Sequence, residues 1–238
     1  MTSRPDSAAR TAVGQVGGVD SLDPVPHLPE PRDRAAPYGV VMVCTGNICR
    51  SAMAHAVLVD RLAAAAVPTT GPGGVVVTSA GVSDEETGNP MDPRARRILA
   101  EGGYGIGADA AARAVAAVIN AHAAHRISDA ELRSADLVLA MTTAHLRALL
   151  RRAERLGVDP GRIRMFREFD PEAATTTPAG GTAPGAPAYP ADRADLDVPD
   201  PWYGTVADFV DTLDVVERVS DALAPALTQL TGTPGATP

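Results

Sequence analysis

The sequence predicts an α/β fold with three layers, α/β/α, built on a four-stranded parallel sheet of the doubly wound kind. Short apolar runs rich in Val, Ile and Leu recur at 40–43, 74–78 and 137–140, with a fourth, Arg-interrupted segment at 163–166, lengths that suit strands. Helix-like stretches lie between them, and strands that alternate with helices give a parallel sheet covered on both faces. A third observation places chemistry on that frame. The first run ends in Cys44, and ligands of such folds sit at the carboxyl ends of the strands, where the strand order reverses.

Each element has its own signal. Residues 1–37 hold Pro5, Pro24, Pro26, Pro29, Pro31 and Pro37 with no periodicity, the composition of a disordered tail. A strand over 39–43 leads into a helix over 50–65, and Gly74-Val75-Val76-Val77-Thr78 is the second strand. Asp92-Pro93 is a cap and first-turn pair for a helix through Ala100, stopped by Gly102-Gly103. The Ala-rich stretch 108–124 is a further helix, and Ser128-Asp129-Ala130-Glu131 is a capping box that opens a short one. Leu137-Val138-Leu139-Ala140 is the third strand, with a helix over 143–156 after it. Ile163-Arg164-Met165-Phe166 is a fourth strand, at the sheet edge. Residues 171–194, rich in Pro, Thr, Gly and Ala, form a flexible insertion longer than compact domains usually carry. The last helix spans 205–226. One domain is therefore expected over 38–228, followed by a disordered tail over 229–238.

Composition narrows the function. A chain of 238 residues with 45% hydrophobic content holds one ordinary core. The formal net charge of −8 argues against nucleic acid as a partner. The chain has no Lys, so lysine-based phosphate loops and lysine nucleophiles are excluded together. Two cysteines make no disulfide framework, and thiol chemistry in a reducing compartment fits better. With no apolar leader and no membrane-length segment, no membrane role is expected and the expected location is cytoplasmic.

The most informative stretch is Cys44-Thr45-Gly46-Asn47-Ile48-Cys49-Arg50-Ser51. A strand-to-helix turn points several backbone N–H groups into one concavity, and the helix dipole adds positive charge there, so the turn binds oxyanions. A thiol at the base of such a cup is an activated nucleophile. Gly46 permits close backbone approach, and Asn47 is the non-Gly type best suited to left-handed backbone. Arg50 brings a planar fork that matches two phosphate oxygens, and Ser51 is placed to donate to the Cys44 sulfur. Thr45, Ile48 and Cys49 complete the loop. The chemistry that fits is attack of a cysteine on phosphorus.

Such a reaction needs an acid for the leaving oxygen. The best candidate lies far downstream, in Asp197-Val198-Pro199-Asp200-Pro201-Trp202-Tyr203-Gly204. Taken alone, Asp200 is an ordinary turn residue. Trp202 and Tyr203 offer aromatic walls for a flat substrate.

Taken together, V-C-T-G-N-I-C-R-S, the T-S-A-G after the second strand and the D-P-W-Y-G before the last helix resemble the low-molecular-weight protein tyrosine phosphatases. Further matches are Asn89-Pro90-Met91-Asp92-Pro93-Arg94-Ala95, Asp136-Leu137-Val138-Leu139-Ala140-Met141 and Arg167-Glu168-Phe169-Asp170, in the family's order. The resemblance implies the phosphotyrosine phosphatase I-like fold and a hydrolase acting on phosphotyrosine proteins, with no metal, cofactor or obligate partner. It also implies roles: Cys44 as nucleophile, Arg50 on the phosphate, Asp200 as general acid and then base. Asn47, Ser51, Ser79 and His125 would form a network supporting the loop.

The chain also departs from the family pattern. Ala52 follows the motif Ser where Pro is frequent, Asp84-Glu85-Glu86 stands where many members place a Trp, and Trp202 replaces a Tyr. Three rivals follow from the same residues. Arginine phosphatases of this type carry Thr at the place of Ile48. A thiol-coupled arsenate reductase needs resolving thiols downstream, and none follows Cys49. A redox sensor pairing Cys44 with Cys49 leaves Arg50 and Asp200 without a role, although that disulfide is a conceivable regulatory state. His122 and His125 lack the further ligands of a metal site, and Arg151-Arg152 has the character of a solvated helix face.

Overall fold

A computed structural model of the chain describes residues 27–173 and 193–232. Its strands are β1 (Tyr38–Cys44), β2 (Val75–Gly81), β3 (Leu137–Ala140) and β4 (Ile163–Met165). All pair in parallel, in the order β2-β1-β3-β4. Helix α1 (Arg50–Ala64) follows β1; α2 (Pro93–Glu101), α3 (Ala110–Ala121) and α4 (Asp129–Ser134) lie between β2 and β3. Helix α5 (Thr143–Leu156) joins β3 to β4, and α6 (Val206–Thr231) closes the chain. From β1 the chain moves outward to β2, then returns to β1's other side for β3. This reversal puts the crevice of the fold at the carboxyl end of β1, beside Cys44.

Strand periodicity divides the core. Val40, Met42 and Cys44 join the apolar cluster built with α1, α3 and α6, whereas Val41 and Val43 join the one built with α5. Both faces of β1 are thus covered, which is why its sequence is apolar throughout. Each fully buried Val, Leu or Met contributes about 1.5–3 kcal/mol to holding the layers together. The caps expected from sequence are present. Asp92 accepts from Arg94 N at 2.7 Å, and Ser128 with Glu131 forms the capping box of α4.

Two boundaries differ from the sequence reading. Residues 27–37, expected as part of a disordered tail, pack onto the domain. Leu28 is buried, the Tyr38 hydroxyl donates to Pro29 O, and Arg32 donates to Asp136 Oδ1 and Ala135 O. Arg162 holds Glu30 O from the other side. The Arg32 and Arg162 contacts span more than a hundred residues, beyond the reach of local composition; residues 1–26 lie outside the described ones. The last helix, expected to stop at 226, runs to Thr231 through Pro225. An interior Pro removes one backbone hydrogen bond, and burial of Leu223, Ala224 and Leu227 on both sides of it offsets that loss. Most of the 171–194 insertion and the segment 233–238 also lie outside the described residues. Among those described, no helix is long and apolar enough to cross a membrane.

Candidate active site

The loop between β1 and α1 wraps around the Cys44 sulfur. Asn47 takes the left-handed backbone its residue type allows, with φ 62°. Its side-chain amide donates to Ser51 Oγ at 3.1 Å, and Ser51 Oγ lies 3.0 Å from Cys44 Sγ. The Ser51 hydroxyl also faces Ala80 O at 3.4 Å, and it is close enough to the sulfur to donate to a Cys44 thiolate. From outside, His122 Nε2 bonds Asn47 O at 2.7 Å, the His125 backbone N–H donates to Asn47 Oδ1, and Asp92 N donates to Ile48 O. The end of β2 presses on the same loop. A side chain at Gly81 would place its Cβ 2.5 Å from Thr45 O, so the T-S-A-G motif must end in glycine.

Arg50, 4% exposed, reaches into the cleft from the first turn of α1. Its Nη1 donates to Val198 O at 3.2 Å and its Nη2 to Asp200 Oδ2 at 2.7 Å. Its Nε is buried and has no acceptor among the described residues. Asp200 is brought here by four anchors. Val198 N donates to Met141 O, and Asp197 caps α5 by accepting from Thr143 N and Oγ1. Arg167 holds Asp197 O, and Arg94 donates to Trp202 O and Gly204 O. The Arg94 guanidinium also sits over the rings of Trp202 and Phe209, 5.5 and 4.6 Å from their centroids, and pairs with buried Asp92. Through Asp92, one arginine ties the Cys44 loop to the Asp200 loop.

The structure thus brings Cys44, Thr45, Gly46, Ile48, Cys49, Arg50, Asp200, Trp202 and Tyr203 to one cleft, with Glu85 and Glu86 on its rim. Asn47 and Ser51 lie beneath it. Two of the expected supports are arranged differently. The Ser79 hydroxyl meets His55 Nδ1 at 3.4 Å and not the loop. His125 supports Asn47 only through its backbone, while its imidazole turns to Glu131 Oε1 at 2.8 Å. Burial raises the Cys49 thiol far above its ordinary range, with Asp92 adding to the shift, so it remains protonated.

Sequence reasoning missed His145. It is 5% exposed, and its Nε2 bonds Thr45 Oγ1 at 2.9 Å, the hydroxyl that also faces Arg50 Nη2. Burial, reinforced by the Arg50 charge, lowers its pKa to about 3. The unfolded chain therefore binds a proton that the folded one refuses, so stability is full above about 6.5 and is lost as pH falls towards 3. Half-buried His55, lowered to about 4 chiefly by burial, acts in the same direction. The His145→Gln protein should lose less stability on acidification, its slope between pH 6 and 4 being shallower by about 1.4 kcal/mol per pH unit. Urea unfolding at several pH values checks this, and equal slopes would overturn the assignment.

A buried thiol, a charged fork and a carboxylate at the switch point of a parallel sheet define a class: α/β proteins that present a cysteine to an oxyanion. The comparisons name the family. Residues 39–178 match the model of the low molecular weight phosphotyrosine protein phosphatases. A low molecular weight protein-tyrosine-phosphatase of Streptomyces coelicolor is 37% identical over 80% of this chain and 93% of its own length. The low molecular weight protein-tyrosine phosphatase A of Mycobacterium tuberculosis is 34% identical over 79% and 90%. Among solved structures, the YwlE arginine phosphatase from Geobacillus stearothermophilus aligns with a TM-score of 0.55 at 26% identity, covering 81% of this chain and 94% of its own. The chain belongs to the low molecular weight phosphotyrosine protein phosphatase family, and it is a phosphatase.

Proposed function

We propose that the protein hydrolyses phosphotyrosine in proteins through a phosphocysteine on Cys44. The observation that carries this reading is the buried Arg50 Nε–H without an acceptor among the described residues, in a guanidinium that lines the thiol cleft. An orphaned charged donor is costly, and a phosphoryl oxygen in the loop satisfies it. The phosphate also competes with Asp200 for Arg50 Nη2, which releases the carboxyl to act on the ester oxygen. Cys44 attacks phosphorus as the thiolate and the P–O(aryl) bond breaks, while Asp200, which takes up a proton from solvent once it leaves Arg50, gives that proton to the departing phenolic oxygen. Water then attacks the phosphocysteine. Asp200 takes the water's proton, the S–P bond breaks, and the thiolate, stabilised by Ser51 Oγ at 3.0 Å, leaves with release of phosphate.

Substrate choice turns on the cleft walls. Buried Ile48 and the exposed rings of Trp202 and Tyr203, the latter 91% exposed, suit an aryl ring. Glu85 and Glu86 on the rim favour a second reading, because carboxylates attract the guanidinium of phosphoarginine. With matched peptides and no added metal, phosphotyrosine should be hydrolysed at least about tenfold faster than phosphoarginine, measured as kcat/KM. A faster rate on phosphoarginine would replace the first reading with the second.

A further inference from the structure

Three residues of chain from the cleft lies a concave groove with no role in the chemistry above. Val82, Ile127, Ala148 and Leu149 form its floor, and Arg126, Arg151, Arg152 and Arg155 surround it. Arg152 is committed to Asp129 and Ile127 O. Among the described residues, Arg126, Arg151 and Arg155 have no hydrogen-bond or ion-pair partner. Arg147, Arg151 and Arg155 follow one another at i, i+4 along α5, also unpaired, so like charges repel on one helix face. An acidic chain of net charge −8 that sets four of its 21 arginines around one hollow has there a surface opposite in sign to its net charge. The sequence alone gave Arg151-Arg152 as a solvated face. What changes this is Arg126, which arrives from the bridge to Gly81 and closes the hollow from another segment.

We propose that this groove binds an acidic stretch of the phosphoprotein substrate, a recognition site separate from the phosphate cup. The inference rests on the phosphotyrosine reading. Val82 lines the groove and Glu85 lines the cleft, so the two sites are joined by three residues of chain, at most about 10 Å. Glu85 and Glu86 disfavour carboxylates beside the phosphotyrosine, whereas the arginines favour them farther along. With the groove that near, the preferred acidic residues should lie three to five positions from the phosphotyrosine, about 10–18 Å of extended chain. Discrete carboxylates suit a hollow with an apolar floor. Extended polyanions such as nucleic acid meet the net negative surface beyond it.

The test uses two phosphotyrosine peptides of equal length, one with Asp-Glu-Glu in that window and one with Ser there. The wild-type protein should favour the acidic peptide by about fivefold or more in kcat/KM, chiefly through KM, with the advantage fading as salt is added. In the Arg151→Glu, Arg155→Glu protein the preference should vanish or reverse. Its rate on the Ser peptide should stay within about twofold of wild type, which also reports intact folding. Equal rates for both peptides in the wild type, or a preference that survives the double substitution, overturn the groove while leaving the phosphotyrosine reading standing. Failure to hydrolyse either peptide overturns both.

Discussion

Cys44→Ser should lower turnover of aryl phosphates by about 10⁴-fold or more, while the protein still binds inorganic phosphate within about threefold of wild-type affinity. The two halves of this expectation have separate physical sources. A serine hydroxyl is far less acidic than a thiol, so Ser51 and the loop dipoles have no anion to stabilise and attack on phosphorus fails. Phosphate affinity comes from the loop N–H groups and Arg50, which the substitution leaves in place. No second nucleophile can substitute. Cys49 is 4% exposed, and burial keeps its thiol protonated. Cys49→Ser should therefore retain activity within about tenfold. Hydrolysis of p-nitrophenyl phosphate and calorimetric titration with phosphate measure the two effects. A Cys44→Ser protein with a tenth of wild-type activity would falsify the nucleophile assignment.

What was legible in the sequence had local causes. The β1–loop–α1 unit is continuous in the chain, and its strand, its left-handed Asn47 and its helix each follow from neighbours within a few residues. The same holds for the Asp92 and Ser128 caps. Errors arose where distant partners decide the outcome. Residues 27–37 have tail composition, yet Arg32 and Leu28 find Asp136 and the core once the sheet has formed. Pro225 is locally a helix breaker, and only the burial of Leu223 and Leu227 keeps α6 intact beyond it.

The same division runs through the site. Cys44 and Arg50 were legible through the strand, the Gly-Asn interior, the Ser and the helix around them, and Asp200 only through the family resemblance of its loop; the structure brings all three to one cleft. His145 and His122 carried no such signal. Each is a lone histidine whose partner, Thr45 or Asn47, lies 75 or more residues away. Arg94 sat inside a noted motif, Asn89-Pro90-Met91-Asp92-Pro93-Arg94, but its contacts with Trp202 and Gly204 appear only when α2 packs on α6. The resemblance named His125 as a support of the loop without saying which atoms act; its backbone reaches Asn47, whereas its imidazole bonds Glu131.

Asp200→Asn separates the acid from the rest of the site because the change is nearly isosteric. An Asn carbonyl oxygen can still accept from Trp202 N, as Asp200 Oδ1 does at 3.1 Å, and the anchors at Val198, Asp197 and Arg94 are untouched. The loop should stay where it is, so any loss is chemical. A general acid matters in proportion to how badly the leaving group needs a proton. With p-nitrophenyl phosphate, whose phenolate leaves unaided, the loss should be about tenfold or less; with phosphotyrosine it should reach about 10²–10⁴-fold. The steeper dependence of rate on leaving-group pKa across substituted phenyl phosphates is the measurement. Removing the carboxylate also frees Arg50 from the 2.7 Å ion pair that the phosphate must displace, so phosphate should bind the variant at least as tightly as wild type. A variant that loses activity equally on all leaving groups, or that loses phosphate affinity with it, would assign Asp200 to holding Arg50 and not to proton transfer.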